Sequence, residues 1–228
     1  VGESRSGKST LIELLVKRKQ ESSPLLQSLY IDSKPRFRAE FELDGISTKV
    51  SRRYRKWAKD YGQFIPGSYV LPLHNPKSEL AQVWRLGGKI AIAQGDIEAW
   101  PKLMEAAKAL YDDSYGKVER MVYVNELSDF FQVGNIGNIF WLIARSGGEK
   151  KISLAAESQR PVYIPKTVLT ESVQIYLFKL KYSEDMKAMY QMGIPKGLPA
   201  ITKRHVFYFW DTLAQQQAPS GRFYTLEL

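Results

Sequence analysis

Leu11, Ile12, Leu14 and Leu15 recur at helical spacing, so a first helix is expected to run to about Lys19 before Ser22-Ser23-Pro24 breaks it. Beyond it the apolar residues gather into short runs: Leu26 to Ile31 ending at Asp32, Val70 to Leu73 between Pro66-Gly67 and Pro76, and Lys89 to Ala93. Runs this short, bounded by turn formers, read as buried strands. Asp96 then stands as the N-cap of a helical segment reaching Tyr111. Met121 to Val124 is a further strand ending in Asn125-Glu126, and Ile136 to Arg145 fits a helix closed by Gly147-Gly148. Ile152 to Ala156 and Val173 to Leu180 read as strands, followed by a helix from about Glu184 to Met192; Val206 to Trp210 and Phe223 to Leu228 form a terminal hairpin. Strands alternating with helices predict an α/β fold with a mostly parallel central sheet flanked by helices.

The segment Lys34 to Gln63 breaks this alternation. Arg36, Arg38, Lys49, Arg52, Arg53, Arg55, Lys56 and Lys59 are interleaved with Phe37, Tyr54, Trp57 and Tyr61. Such a mixture holds phosphates and stacks bases, or it forms a solvated helix whose aromatic side is buried. The helical spacing of Val50, Tyr54, Trp57 and Tyr61 favours the helix.

With 228 residues, 44% of them hydrophobic, one domain spanning residues 1–228 is expected around one sizeable core. The run ending at Val1 reads as the end of a strand that begins before the sequence does. No stretch has the length of uncharged apolar residues that a membrane span needs, and no signal peptide is recognisable, so an intracellular, soluble location is expected. Cysteine is absent, which excludes disulfides and thiolate metal sites, and His74 and His205 are too few for a histidine zinc cluster. The metal to expect is magnesium, held through oxygen. The formal charge of +9 points to a polyanionic partner such as nucleic acid, or to a dispersed lysine surface that serves solubility.

The chemistry is concentrated at the start. Gly2-Glu3-Ser4-Arg5-Ser6-Gly7-Lys8-Ser9 satisfies G-x-x-x-x-G-K-[ST] and, through Thr10, leads straight into the first helix. This is the pattern of a P-loop that grips the phosphates of ATP or GTP. Its glycines let backbone N–H groups turn toward phosphate oxygens, and the helix N-terminus adds partial positive charge. Lys8 is expected to reach the β- and γ-phosphates and the Ser9 hydroxyl to ligate magnesium. A P-loop enzyme also needs an acid at the end of a neighbouring strand. There Asn125 stands where aspartate is usual, an amide that should hold magnesium or its water more weakly than a carboxylate would. Glu126 is the candidate for polarising the attacking water, with Asp129 and Asp32 as further acids on the metal side.

The loop, the strand ending Tyr30-Ile31-Asp32-Ser33-Lys34-Pro35, the strand ending Asn125-Glu126, and above all Ala156-Glu157-Ser158-Gln159-Arg160-Pro161 with Ile164-Pro165, resemble the FtsK/HerA superfamily of P-loop ATPases. The resemblance runs from Val1 to about Met192, while Lys49 to Val83 and the C-terminal stretch have no counterpart in it. It implies that Gln159 is the polar sensor near the γ-phosphate, and that Arg145 acts on a neighbouring subunit's nucleotide. Arg145 is otherwise a charge that favours the helix C-terminus, and Arg160 is the second candidate for the trans-acting role. Gly148 stands where a second basic position looks to be expected. The small size is closest to the viral genome-packaging branch. The resemblance thus implies a homo-oligomeric ring of five or six subunits, driven by ATP and magnesium, that moves double-stranded DNA, with capsid proteins as further partners. Its place would be the host cytoplasm or the virion. Lysines and arginines of Lys49 to Lys59, with Lys150 and Lys151, are the expected DNA contacts. The rival readings are a secretion or filament-assembly ATPase acting on protein, and a nucleotide-dependent switch with little turnover.

Overall fold

A computed structural model of the chain describes residues 1–2, 7–33, 68–113, 118–131, 138–198, 201, 206–211 and 224–227. The basic and aromatic stretch between Lys34 and Gln63 lies outside them. The elements, in chain order, are α1 (Lys8–Ser22), β1 (Gln27–Asp32), β2 (Ser68–Val70), α2 (Pro76–Arg85), β3 (Ile90–Gln94), α3 (Trp100–Asp113), β4 (Arg120–Asn125) and α4 (Ile139–Ser146). Then follow β5 (Ile152–Ala156), α5 (Lys166–Thr170), β6 (Gln174–Leu177), α6 (Ser183–Gln191), β7 (Val206–Asp211) and β8 (Tyr224–Glu227). By their contacts these residues group into two compact units: Lys17–Asn125 with Gly137–Ala155, and Val1–Val16 with Glu126–Ile136 and Ala156–Leu228.

The Lys17–Asn125 unit carries a five-stranded sheet in the order β2-β3-β1-β4-β5. β1 pairs in parallel with both β3 and β4, and β2 in parallel with β3. Leu29, Ile31, Ala91, Ala93, Val122 and Val124 are all fully buried, as continuous apolar strands of a parallel sheet covered on both faces should be. The registers align Asp32 of β1 with Gln94 of β3 and with Asn125 of β4, so polar residues gather at the carboxyl ends of the central strands. Helix α3 covers the sheet with Leu103, Ala106, Ala107 and Leu110, a single helical stripe, and packs against α2. The helix expected from Asp96 starts instead with a 3₁₀ turn, Ile97–Ala99, and the Asp96 side chain makes no capping hydrogen bond. Helix α4 is capped by Asn138, whose Oδ1 accepts the Phe140 N–H at 2.9 Å. Gly147 follows it closely: a Cβ there would stand 2.4 Å from the Ile143 carbonyl and 2.3 Å from that of Ile152, so only glycine lets the chain turn from α4 into β5.

Helix α2 has no counterpart among the elements expected from the sequence. Asn75-Pro76 stops an extended segment and starts a helix equally well: Asn75 Oδ1 accepts the Ser78 N–H, and Pro76 occupies the first turn, where its missing donor is not needed. The Glu79 carboxylate, 1% exposed, folds back to accept the N–H groups of Leu73, His74 and Asn75 at 3.0, 2.8 and 2.8 Å. Glu79→Ala is expected to lower stability by about 1–2 kcal/mol, because it removes the buried carboxylate that three partly buried N–H groups share. A shift of the urea midpoint at constant slope measures this. An unchanged midpoint would show that the carboxylate does not hold this turn.

The second unit contains a three-stranded sheet, β6-β7-β8, antiparallel throughout. The expected terminal hairpin is its β7–β8 pair, with Phe207 opposite Leu226. Alternate residues serve opposite faces, as strand geometry requires. Ile175, Leu177, Tyr208 and Trp210 pack with Met189 of α6 and Ile194. Tyr176, Phe178, Phe207 and Phe209 pack with Leu11 and Leu15 of α1, their rings 5.0–5.5 Å apart. Val1 lies beside β6 in a parallel-strand pattern: its nitrogen donates to the Tyr176 carbonyl at 2.7 Å and its carbonyl accepts the Phe178 N–H at 2.8 Å. The core thereby holds Val1 and the start of α1, on either side of the segment from Gly2 to Gly7.

Candidate nucleotide-binding site

Gly2 donates its N–H to the Ser158 carbonyl at 3.0 Å, which ties the start of the loop to the segment following β5. Gly7, at φ 101°, adopts a backbone conformation that favours glycine, and its carbonyl accepts the Leu11 N–H as α1 begins. Glu3, Ser4, Arg5 and Ser6, expected to line the phosphates, lie outside the described residues. Lys8, Ser9 and Thr10 open α1, whose first turn holds no acidic side chain, so its partial positive charge is available to an anion. Lys8 is 8% exposed.

The residue after β4 is Glu126, in the left-handed conformation at φ 55° and ψ 62°, and the 3₁₀ turn Leu127–Phe130 follows it. The reversal turns the carboxylate inward. Glu126 Oε1 accepts the Gln159 N–H at 2.7 Å, the Ser128 hydroxyl at 2.6 Å and the Ser158 hydroxyl at 3.2 Å. The Leu127 N–H donates to the Glu157 carbonyl at 2.8 Å. These bonds knit the strand-end acid, expected to polarise water, to the backbone of the expected sensor Gln159.

Glu157 was not among the residues expected to act. Its carboxylate, 4% exposed, accepts the Ser9 hydroxyl, with Oε1 at 2.9 Å and Oε2 at 3.0 Å. The sequence signal was its place in Glu157-Ser158-Gln159, directly after a strand, but nothing in that spacing names Ser9 as the partner. Asn125, at the end of β4, donates Nδ2 to Asp32 Oδ1 at 2.6 Å, and Asp32 is fully buried. The amide and the acid thus hold each other at the adjoining ends of β4 and β1. Asp129 sits in the turn after Glu126 and is half-buried.

The two arginine candidates differ. Arg160 Nε bonds Asp185 Oδ2 at 3.0 Å, and its guanidinium lies 4.8 Å from the Tyr163 ring and 4.4 Å from the Tyr182 ring. Asp185, fully buried, also accepts the Val162 N–H. Arg160 is therefore engaged within its own unit. Arg145, in the last turn of α4, is exposed and stacks over Trp141 at 5.1 Å. Of the expected DNA contacts, Lys150 donates to the Tyr111 carbonyl at 3.2 Å and lies over that ring, while Lys151 is exposed; the residues of Lys49 to Lys59 lie outside the described residues.

Among the described residues no group of three or more His, Asp or Glu side chains could hold a metal by itself. Magnesium at a P-loop does not need one, since the ion takes most of its oxygens from phosphates and water. The hydroxyl of Ser9 beside the carboxylate of Glu157 is a hard-oxygen pair of the type it accepts. Among the described residues no helix is long and apolar enough to cross a membrane.

No protein-family model matches the chain, and no curated protein matches it. Solved structures do. The genome packaging NTPase B204 from Sulfolobus turreted icosahedral virus 2, in complex with AMPPCP, superposes with a TM-score of 0.63 at 15% identity, covering 100% of this chain and 95% of that one. Its complex with ATP-gammaS gives 0.62 at 15% identity, with the same coverage. B204 described as the DNA-packaging ATPase from Sulfolobus turreted icosahedral virus gives 0.59 at 16% identity, also covering 100% and 95%. The chain therefore shares the fold of these packaging-NTPase structures.

Proposed function

We propose that the chain is a magnesium-dependent ATPase that works as a homo-oligomeric ring of five or six subunits and moves double-stranded DNA into a viral capsid. The observation that carries this reading is the bonding of Glu126 to the Gln159 backbone within the unit that also holds Lys8 and Ser9, in a chain with the fold of a genome-packaging NTPase. Loop N–H groups and Lys8 bind and orient the triphosphate of ATP, and Lys8 offsets charge building on the γ-phosphoryl group. When bound, magnesium would supply charge neutralisation at the triphosphate. Ser9 would hold the ion, with the Asn125-Glu126 edge on the side of its water, and Glu126 would polarise the attacking water. The Gln159 amide, able both to donate and to accept, reports the state of the γ-phosphate. Arg160, bonded to Asp185 at the start of α6, would carry a shift of Gln159 to that helix. Arg145, exposed and outside any ion pair among the described residues, is the arginine that would cross the subunit boundary. Capsid proteins and the host cytoplasm or the virion complete the proposal.

The neutral Asn125, in place of an acid, favours a second reading: a nucleotide-dependent switch with low turnover. Hydrolysis measured with and without duplex DNA separates the two, because a translocase couples its two ligands. Turnover is expected to rise when duplex of any sequence is added at low salt, and the stimulation should fall steeply as salt rises, since phosphate contacts release counterions. ATP hydrolysis indifferent to DNA would shift the reading to a protein-handling ATPase, and binding without turnover would shift it to the switch.

A further inference from the structure

Glu157 is a buried carboxylate beside the loop that would grip phosphates. Its carboxylate lies against the P-loop serine, with both oxygens within 3.0 Å of Ser9 Oγ. The placement is built in. The Glu157 backbone is pinned by the Leu127 N–H, and the neighbouring Ser158 hydroxyl is bonded to Glu126. A triphosphate gripped by this loop would bring several negative charges close to a buried carboxylate, an arrangement that low local dielectric makes strongly repulsive. A divalent cation between the two turns the repulsion into attraction and reverses the local charge logic.

The spacing admits such an ion. Oxygens at right angles around magnesium, each roughly 2.0–2.1 Å from it, stand about 2.9 Å apart, close to the Ser9–Glu157 separations of 2.9 and 3.0 Å. The other candidates for anionic charge are differently engaged. Asn125 is neutral and its Nδ2 is taken by Asp32, while Glu126 Oε1 receives donors from Ser128, Ser158 and Gln159.

We propose that Glu157, together with Ser9, holds the magnesium ion of the bound nucleotide, so that the end of β5 supplies the negative charge that Asn125 lacks at the end of β4. The inference rests on the nucleotide-binding reading above and deepens it. It gives this chain an acid at the metal that differs from the strand-end acid the motif order leads one to expect.

The test is calorimetric and needs no turnover. The full chain is titrated with the non-hydrolysable analogue AMPPCP across a magnesium series and again in EDTA, beside the Glu157→Gln variant. Glutamine keeps the side-chain volume and an acceptor for Ser9 while removing the charge. The magnesium concentration for half-maximal tightening is expected to rise about 10–100-fold, the usual effect of losing a group that supports a metal site. Affinity in EDTA should stay level or improve, because a negative charge beside the phosphates is gone. An unchanged magnesium requirement, or an equal loss of affinity with and without magnesium, would overturn the assignment. Should Glu157→Gln not fold by thermal melting, Glu157→Asp decides: withdrawing the carboxylate by one methylene should raise the requirement, and parent-like behaviour would overturn the proposal. A parent chain that binds no nucleotide under either condition would overturn the ATPase reading, and this inference with it.

Discussion

Lys8→Ala is expected to reduce ATP turnover by about a hundredfold or more, the scale of losing one preorganised donor to charge that develops in the transition state. Lys8 opens α1 directly after Gly7, and the core contacts of that helix are made by Leu11, Ile12 and Val16. Alanine is the best helix former, so the substitution keeps the helix and the packing of Leu11, Ile12 and Val16. The deficit should therefore appear in steady-state hydrolysis by a variant that still melts cooperatively. A folded Lys8→Ala protein that turns over ATP at the parental rate would remove the loop from the chemistry, whatever its match to the pattern.

Glu126→Gln should separate binding from hydrolysis. If the carboxylate polarises the attacking water, its loss costs about 10²–10⁴ in rate while the nucleotide still binds. The amide oxygen of glutamine can go on accepting the Gln159 N–H and the hydroxyls of Ser128 and Ser158, so the link between the two segments survives with weaker, uncharged bonds. A modest drop in melting temperature is expected alongside the lost turnover, since charge-assisted hydrogen bonds contribute about 1 kcal/mol more than neutral ones. Single-turnover hydrolysis beside equilibrium nucleotide binding makes the distinction. Parental turnover would transfer the role to another acid, Asp129 first, which lies in the turn after Glu126.

Much of this was legible from local pattern. The apolar runs at Leu29-Ile31, Ala91-Ala93 and Val122-Val124 have the length and composition of strands covered on both faces, and they form the centre of the parallel sheet. Val206 to Trp210 and the C-terminal run have the β-branched and aromatic content of strands, and they pair antiparallel. The P-loop pattern is legible because it is contiguous: Gly7 falls where φ turns positive, and Lys8 and Ser9 where the helix begins. Helix α2 escaped notice for a local reason, since Asn75-Pro76 ends an extended segment as readily as it begins a helix. What favours the helix is the burial of Glu79 under the N–H groups of Leu73, His74 and Asn75.

The division of labour among charged groups was decided by tertiary structure. Arg145 and Arg160 are equivalent as letters, yet Arg160 meets the buried carboxylate of Asp185 and two tyrosine rings while Arg145 faces solvent over Trp141. Ser9 and Glu157 are 148 positions apart and meet only when folded. Periodicity tells which face of an element is buried, because burial depends on the residue's own neighbours along the chain. It does not tell which side chain from a distant element arrives opposite, because that depends on how the chain folds back on itself. The sequence by itself therefore determined the central strands, the Gly2 to Ser9 pattern and the polar segment around Gln159, and the tertiary structure alone decided which carboxylate Ser9 meets.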